Sequence, residues 1–303
     1  MSITLRVATR GSSLARWQAD HVAGLVRAAE PDVEVEIVTI ETHADRHLET
    51  PIWEMGGKGV FVKEVQAAVL DGRADVAVHS AKDLPSSTPD GLVIAAVPRR
   101  ADARDALVGA PLDGLPEGAR VATGSLRRRT QLAHLRPDLQ FRNLRGNMAT
   151  RLAQVDTPDI DAIVVAAAAL DRLGLGDRIA ERLDVGTMLP QVGQAALAVE
   201  CRAADVDIRS VLERIEHGPS RRTVTAERGF LAELGGDCSL PAAAHATLAG
   251  DSLHVRGLVA SADGALVVRH EVDGPAGAGA ALGRSVARHL LDEKGGDKLL
   301  GRA

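Results

Sequence analysis

Asp83 and the lysine before it are spaced as a reactive site would need them: Ala81-Lys-Asp-Leu-Pro85 sets an ammonium and a carboxylate side by side. They follow Asp75-Val-Ala-Val-His79, a short β-branched run with polar ends that reads as a parallel strand covered on both faces. Pro85 stops the ladder from continuing. Lys82 and Asp83 therefore fall at the carboxyl end of a buried strand, where open α/β sheets place their ligands. A carboxylate there can move a proton or hold a developing positive charge. The same residues also fit an ordinary turn.

A second set of candidates is basic. Val121-Ala-Thr-Gly-Ser-Leu126 echoes Val7-Ala-Thr-Arg-Gly-Ser12, each reading as strand, Gly-Ser, then helix. Helix starts offer unpaired N–H groups and the positive end of a dipole, so Ser12 and Ser125 mark either two anion-accepting ends or two ordinary caps. Around the second copy arginines recur. Arg127, Arg128 and Arg129 follow its cap, Arg142 and Arg145 end the next strand, Arg151 begins the next helix, and Arg172 follows the strand Asp161-Ala-Ile-Val-Val165. Some of these are solvated surface. A planar, bidentate donor repeated at such junctions suits carboxylates or phosphates, and several together suit a polyanionic small molecule.

The third candidate is Cys238, in Gly235-Gly-Asp-Cys-Ser-Leu-Pro241. Glycines before it and a proline after it predict an exposed turn, where a thiol invites oxidation unless it is occupied or used. Cys201, in an apolar run, is the structural cysteine. Two cysteines so placed give no disulfide framework and no Cys-x-x-Cys metal pair, so no metal is expected. No His and Asn stand at positions that would make Cys238 a hydrolase nucleophile.

The elements that must position these residues are legible as alternation and helical period. Leu5–Thr9 reads as a strand, the next segment as a helix with Leu14, Trp17, Val22 and Leu25 on roughly one face, and Val33, Val35 and Ile37 as a second strand, giving a β-α-β unit with a parallel sheet. Glu41 to Gly59 lacks periodicity and carries Pro51, Gly56, Gly57 and Gly59, which predicts a long loop; Gly56-Gly-Lys-Gly59 lacks the Walker spacing. A helix from Val60 to Leu70 and a strand Leu92–Val97 follow, and Pro98–Arg104 reads as a crossing. A second α/β segment starts near Asp105, and the apolar run in Gln191–Glu200 reads as a strand returning to the first domain, so that two crossings form a hinge. After a helix at Asp205–Ile215 come a helix Thr223–Leu234, three alternating runs and a helix Ala278–Glu293, the pattern of an antiparallel α+β domain. The expected fold is α/β: two doubly wound α/β domains with a hinge and a cleft, plus a small C-terminal α+β domain. The boundaries are 1–98 with 195–216, 102–190, and 218–303.

Composition narrows the function classes. The chain of 303 residues is 45% hydrophobic and 25% charged but only 2% aromatic with no Tyr, so its core must be built from Ala, Val and Leu. A formal net charge of −5 argues against a general nucleic-acid binder and makes any anion site local. The longest apolar run, Ala162–Leu170, is too short for a membrane span, and the start of the chain lacks an export signal. With the cysteine usage this predicts a reducing, cytoplasmic setting.

Taken together, the motifs resemble the porphobilinogen deaminase (hydroxymethylbilane synthase) family over almost the whole chain. The resemblance rests on Val7-Ala-Thr-Arg-Gly-Ser12, Gly56-Gly-Lys-Gly-Val-Phe-Val-Lys-Glu64, His79-Ser-Ala-Lys-Asp-Leu-Pro85, Ser125-Leu-Arg-Arg128, Leu144-Arg-Gly-Asn147, Thr223-Val-Thr-Ala-Glu-Arg228 and Gly235-Gly-Asp-Cys238. It implies a monomeric transferase of tetrapyrrole (porphyrin and haem) biosynthesis that joins four porphobilinogen molecules head to tail, with release of ammonia. It also implies a dipyrromethane cofactor attached by a thioether to Cys238, and pyrrole acetates and propionates as the polyanion. By similarity Lys82, Asp83, Ser125, Arg127, Arg128 and Arg145 hold the cofactor, Arg10, Ser12, Arg145, Arg151 and Arg172 receive substrate carboxylates, and Asp83 is the catalytic carboxylate. The chain departs from the family pattern at Ala195, where Gly is usual, at Gln66, where Glu is usual, and at Ala44, where Gly is usual. A two-domain anion receptor that closes without chemistry is the alternative from another class.

Overall fold

A computed structural model describes residues 3–42, 62–235 and 240–301. The chain divides into two compact units, Met1–Ala101 with Ala195–Arg221, and Asp102–Gln194 with Arg222–Ala303.

In the first unit, strand β1 (Ile3–Arg10), helix α1 (Ser13–Ala29) and strand β2 (Val33–Ile40) form the expected β-α-β unit, with Leu5 opposite Val35 in a parallel pair. Helix α2 (Lys63–Leu70) leads into β3 (Val76–Ser80), and β4 (Leu92–Ala96) follows. The returning strand, β10 (Leu197–Arg202), lies between β3 and β4, giving the order β2-β1-β3-β10-β4. It runs antiparallel to both neighbours, so the sheet is parallel only over β2-β1-β3. Both faces are covered, as the apolar strands require. Leu5 and Val7 pack with Val22 and Val26 of α1 and Leu212 of the helix Val206–Glu213, while Ala8 and Ala77 pack with Val65, Ala68 and Val69 of α2 on the other face.

The buried stripe of α1 is Gln18, Ala19, Val22, Ala23 and Val26, not the face drawn through Leu14 and Trp17. Alanines let the helix sit close to the sheet, and Trp17 instead stacks on His21 with ring centroids 5.0 Å apart.

Ala195, where the resemblance leads one to expect Gly, has a φ of +66°. A Cβ in left-handed backbone costs roughly 1–2 kcal/mol, and the extra freedom of glycine in the unfolded chain offsets about 0.4–1 kcal/mol of the relief. Ala195→Gly is therefore expected to stabilise the protein by about 0.5–1 kcal/mol. Urea denaturation of the two proteins checks this; a lower midpoint for the glycine variant would refute the strain.

The second unit repeats the same plan. Its strands are β5 (Asp105–Val108), β6 (Arg120–Ala122), β7 (Gln140–Arg142), β8 (Ala162–Ala166) and β9 (Glu181–Arg182), in the order β7-β6-β8-β5-β9. Strands β7, β6 and β8 are parallel, and β5 runs antiparallel between β8 and β9. Helices α3 (Leu126–Leu135), α4 (Met148–Val155) and α5 (Ala167–Arg172) connect them. Leu132 of α3 packs with Leu107, Val121 and Val164 on one face; Leu152 of α4 and Leu170 of α5 pack with Val108, Ala122 and Ile163 on the other.

The C-terminal part is the expected α+β layer pair. Strands β11 (Ala242–Ala249), β12 (Ser252–Ala260) and β13 (Val267–Pro275) form an antiparallel meander. The helices Gly218–Glu233 and Gly279–Arg288 cover one face, with Phe230 and Val286 against Leu253 and Val255. A methyl group at Gly283 would collide with the Ala226 backbone, so the two helices can cross this closely only with glycine there. Among the described residues no helix is long and apolar enough to cross a membrane.

Candidate functional site

Because β1 and β3 are adjacent and parallel, their carboxyl ends lie at one edge of the first sheet. Arg10 ends β1, and the Ser12 hydroxyl accepts the Ala15 N–H at 3.3 Å as the cap of α1. Strand β3 runs out at Ser80, and Ala81–Asp83 makes a single 3₁₀ turn. That turn is tied at its start, where the Ala81 N–H donates to the Ala196 carbonyl at 3.0 Å, and closed by the Leu84 N–H on the Ala81 carbonyl at 3.4 Å. Asp83 is thereby held half-buried. Arg10, Ser12 and Asp83 share one open hollow of about 70 Å³ with Gln18, His79 and Ser80. Lys82, also half-buried, sits on the same turn but outside the lining.

Sequence reasoning missed the groups behind this hollow. The buried Gln18 amide and the Ser80 hydroxyl are bonded to each other, at 2.9 and 3.2 Å. Glu200, fully buried on β10, accepts from Gln66 Nε2 at 2.8 Å and lies 3.2 Å from His79 Nε2. At this position the Gln66 amide can donate to the buried carboxylate, which an ionised glutamate could not. The available signal was an acid inside the apolar run Leu197-Ala-Val-Glu200.

In the second unit the Ser125 hydroxyl caps α3, accepting the Arg128 N–H at 3.5 Å. The three arginines that follow part company because the helix turns by about 100° per residue. Arg129 is exposed, with its guanidinium 5.9 Å from the centre of the Phe141 ring, whereas Arg127 is only 2% exposed and Arg128 is buried. Both buried guanidinium groups meet Asp105, each with a nitrogen 2.8 Å from the carboxylate. Burial alone would push the Asp105 carboxyl up, but the Arg127 and Arg128 charges outweigh it and hold it well below the usual carboxylate range. Burial lowers the Arg127 guanidinium from its ordinary value, against the Asp105 charge.

The remaining arginines are less uniform than their spacing implied. Arg142 is exposed and donates to Gln140 and to the Phe141 carbonyl, which makes it surface. Arg145 is half-buried in the loop after β7. Arg151 lies within α4, whose cap is Asn147, and donates from Nε to the Gly146 carbonyl at 2.8 Å. Arg172 closes α5, after β8 as expected, and burial, opposed by Asp171, brings its guanidinium down to about 10.

These residues fit a ligand rich in carboxylates such as dipyrromethane. Arg127 Nε and Nη2 are buried without a hydrogen-bond partner among the described residues, leaving one bidentate edge for an acceptor. Cys238 lies outside the described residues, as do Ala44 and all but the first two residues of the loop expected over Glu41 to Gly59. Cys201 is fully buried on β10, and burial pushes its thiol up to about 11. Among the described residues no group of three or more His, Cys, Asp or Glu could hold a metal ion.

Comparison with known proteins covers both units. A family described as "Porphobilinogen deaminase, dipyromethane cofactor binding domain" matches residues 5–210, and one described as "Porphobilinogen deaminase, C-terminal domain" matches residues 221–292. The chain is 44% identical over 299 residues to a porphobilinogen deaminase of Syntrophus aciditrophicus (strain SB), covering 98% of this chain and 97% of the relative. It is 46% identical over 294 residues to the porphobilinogen deaminase of Syntrophomonas wolfei subsp. wolfei, covering 96% of each chain.

Proposed function

From the premise that the chain belongs to the porphobilinogen deaminase family, we propose that it condenses four porphobilinogen molecules into hydroxymethylbilane with release of ammonia, as a transferase of tetrapyrrole biosynthesis. The observation that carries the reading is the sharing of one hollow by Asp83, Arg10 and Ser12 at the carboxyl edge of β1 and β3. It places a carboxylate beside a guanidinium and a helix start, the pairing that a cationic reaction centre with carboxylate side arms requires.

In this reading Cys238 carries dipyrromethane through a thioether, and Lys82, Asp83, Ser125, Arg127, Arg128 and Arg145 hold it. When bound, that group supplies the pyrrole carbon to which the first substrate is joined. Arg10, Ser12, Arg145, Arg151 and Arg172 receive the acetate and propionate groups of incoming porphobilinogen. As the substrate amine leaves, positive charge develops on the methylene carbon and spreads to the ring nitrogen. The Asp83 carboxylate opposes that charge and can take up the proton that the reaction releases. The reading brings with it a monomer in the cytoplasm and three domains, 1–98 with 195–216, 102–190, and 218–303.

Supplying porphobilinogen to the purified protein tests this directly. Ammonia and a linear tetrapyrrole are expected in a ratio of four to one. No ammonia above a protein-free control would reject the function.

A further inference from the structure

Asp105 opens β5 as the single acid of an otherwise apolar strand, and it is fully buried. Its oxygens are divided among three neighbours. Oδ2 accepts from Arg127 Nη1 at 2.8 Å; Oδ1 accepts from Arg128 Nε at 2.9 Å and from Gln194 Nε2 at 2.9 Å. Gln194, also buried, gives a second N–H to the Ala103 carbonyl at 2.8 Å and turns its oxygen to Arg128 Nη2 at 3.4 Å. Two backbone carbonyls complete the grip, Leu189 on Arg127 Nη1 at 2.7 Å and Val164 on Arg128 Nη1 at 3.2 Å.

The result is asymmetric. Arg127 is anchored by Nη1, while Nε and Nη2, which form one edge of the guanidinium, are buried with no partner among the described residues. One carboxylate faces two guanidinium groups, so the cluster has one positive charge in excess. A buried charge without a counter-ion is costly, and an unsatisfied guanidinium edge adds to that cost. The cluster therefore has room, in both charge and hydrogen bonds, for one further carboxylate.

We propose that Asp105 and Gln194 are positioning residues that fix the plane of Arg127 so that its Nε–Nη2 edge receives one carboxylate of the dipyrromethane. Asp105 also neutralises one of the two arginine charges, which matches the cluster to one carboxylate and not to two. The inference rests on the cofactor reading above. It adds two residues that touch neither cofactor nor substrate and act through Arg127.

The test compares wild type, Asp105→Asn and Gln194→Leu, each produced without pyrroles and then supplied with porphobilinogen. One readout is the fraction of folded chains that gain two pyrrole units by intact mass. The other is the Arg127 Nε–H signal in a ¹H–¹⁵N spectrum, identified by its loss in Arg127→Lys. Wild type is expected to load and to shift that signal. Asp105→Asn is expected to load about 10–100-fold less per folded chain, taking as a guide the range for losing a group that orients a metal-binding side chain, and to show no shift. Gln194→Leu should fall between them, and it decides the matter if Asp105→Asn does not accumulate as folded protein. Loading and signal shift like those of wild type in the folded variants would overturn the positioning role while leaving the cofactor reading intact. A wild type that gains no pyrrole mass would overturn both.

Discussion

Asp83→Asn is expected to leave the fold and bound pyrroles in place while slowing ammonia release by about 10²–10³-fold, the usual cost of losing one preorganised group that faces developing charge. Asparagine matches aspartate in shape, so the 3₁₀ turn at Ala81–Asp83 keeps its anchors, both of which are backbone: the Ala81 N–H on Ala196 and the Leu84 N–H on Ala81. What disappears is the negative charge in the hollow that Asp83 shares with Arg10 and Ser12. Arg10 and Ser12 are untouched by the change, so binding of substrate acetate and propionate should persist while the chemical step fails. Saturating porphobilinogen with direct measurement of ammonia separates the two, and circular dichroism checks the fold. Turnover within a few-fold of wild type would remove Asp83 from the chemistry.

Patterns confined to one element could be read without the structure. Gly-Ser before an apolar period marks a helix start, whether as a cap or as an anion-accepting end, and the Ser12 and Ser125 hydroxyls both accept N–H groups of their own first turn. Cys201 was placed in the core from its apolar neighbours, and it is fully buried. What could not be read depends on partners distant in sequence. The direction of β10 is set by strands more than 90 residues away, with Leu197 opposite Ser80 and Cys201 opposite Val76, so its antiparallel course has no local signature. The same holds for the arginines. Their number pointed to anions, but spacing alone could not separate Arg129, on the exposed face of α3, from Arg127, whose charge is held by Asp105 from another strand. Glu200 stands inside an apolar run and Asp105 at the head of one, and burial of a charge without a reason is itself a reason to look for its partner.

Intact mass should find the purified protein heavier than its polypeptide by two condensed pyrrole units, with the increment absent from Cys238→Ser and present in Cys201→Ser. The two sulfurs differ in access and in charge state. Cys201 lies in the core of the first sheet, and with its thiol raised to about 11 by burial it stays protonated near neutral pH. It is a poor nucleophile in the folded protein, and serine there costs packing without removing an attachment point. Cys238, bounded by Gly235, Gly236 and Pro241, is the sulfur that the sequence leaves for a thioether. On the proposed mechanism the tether persists while pyrroles are added, so brief exposure of the wild type to limiting porphobilinogen should produce a ladder of further increments, each one pyrrole unit in size. Cys238→Ser should show neither the base increment nor the ladder, and no activity. An active wild type of bare polypeptide mass, or an increment that survives Cys238→Ser, would mean that the pyrroles are held elsewhere.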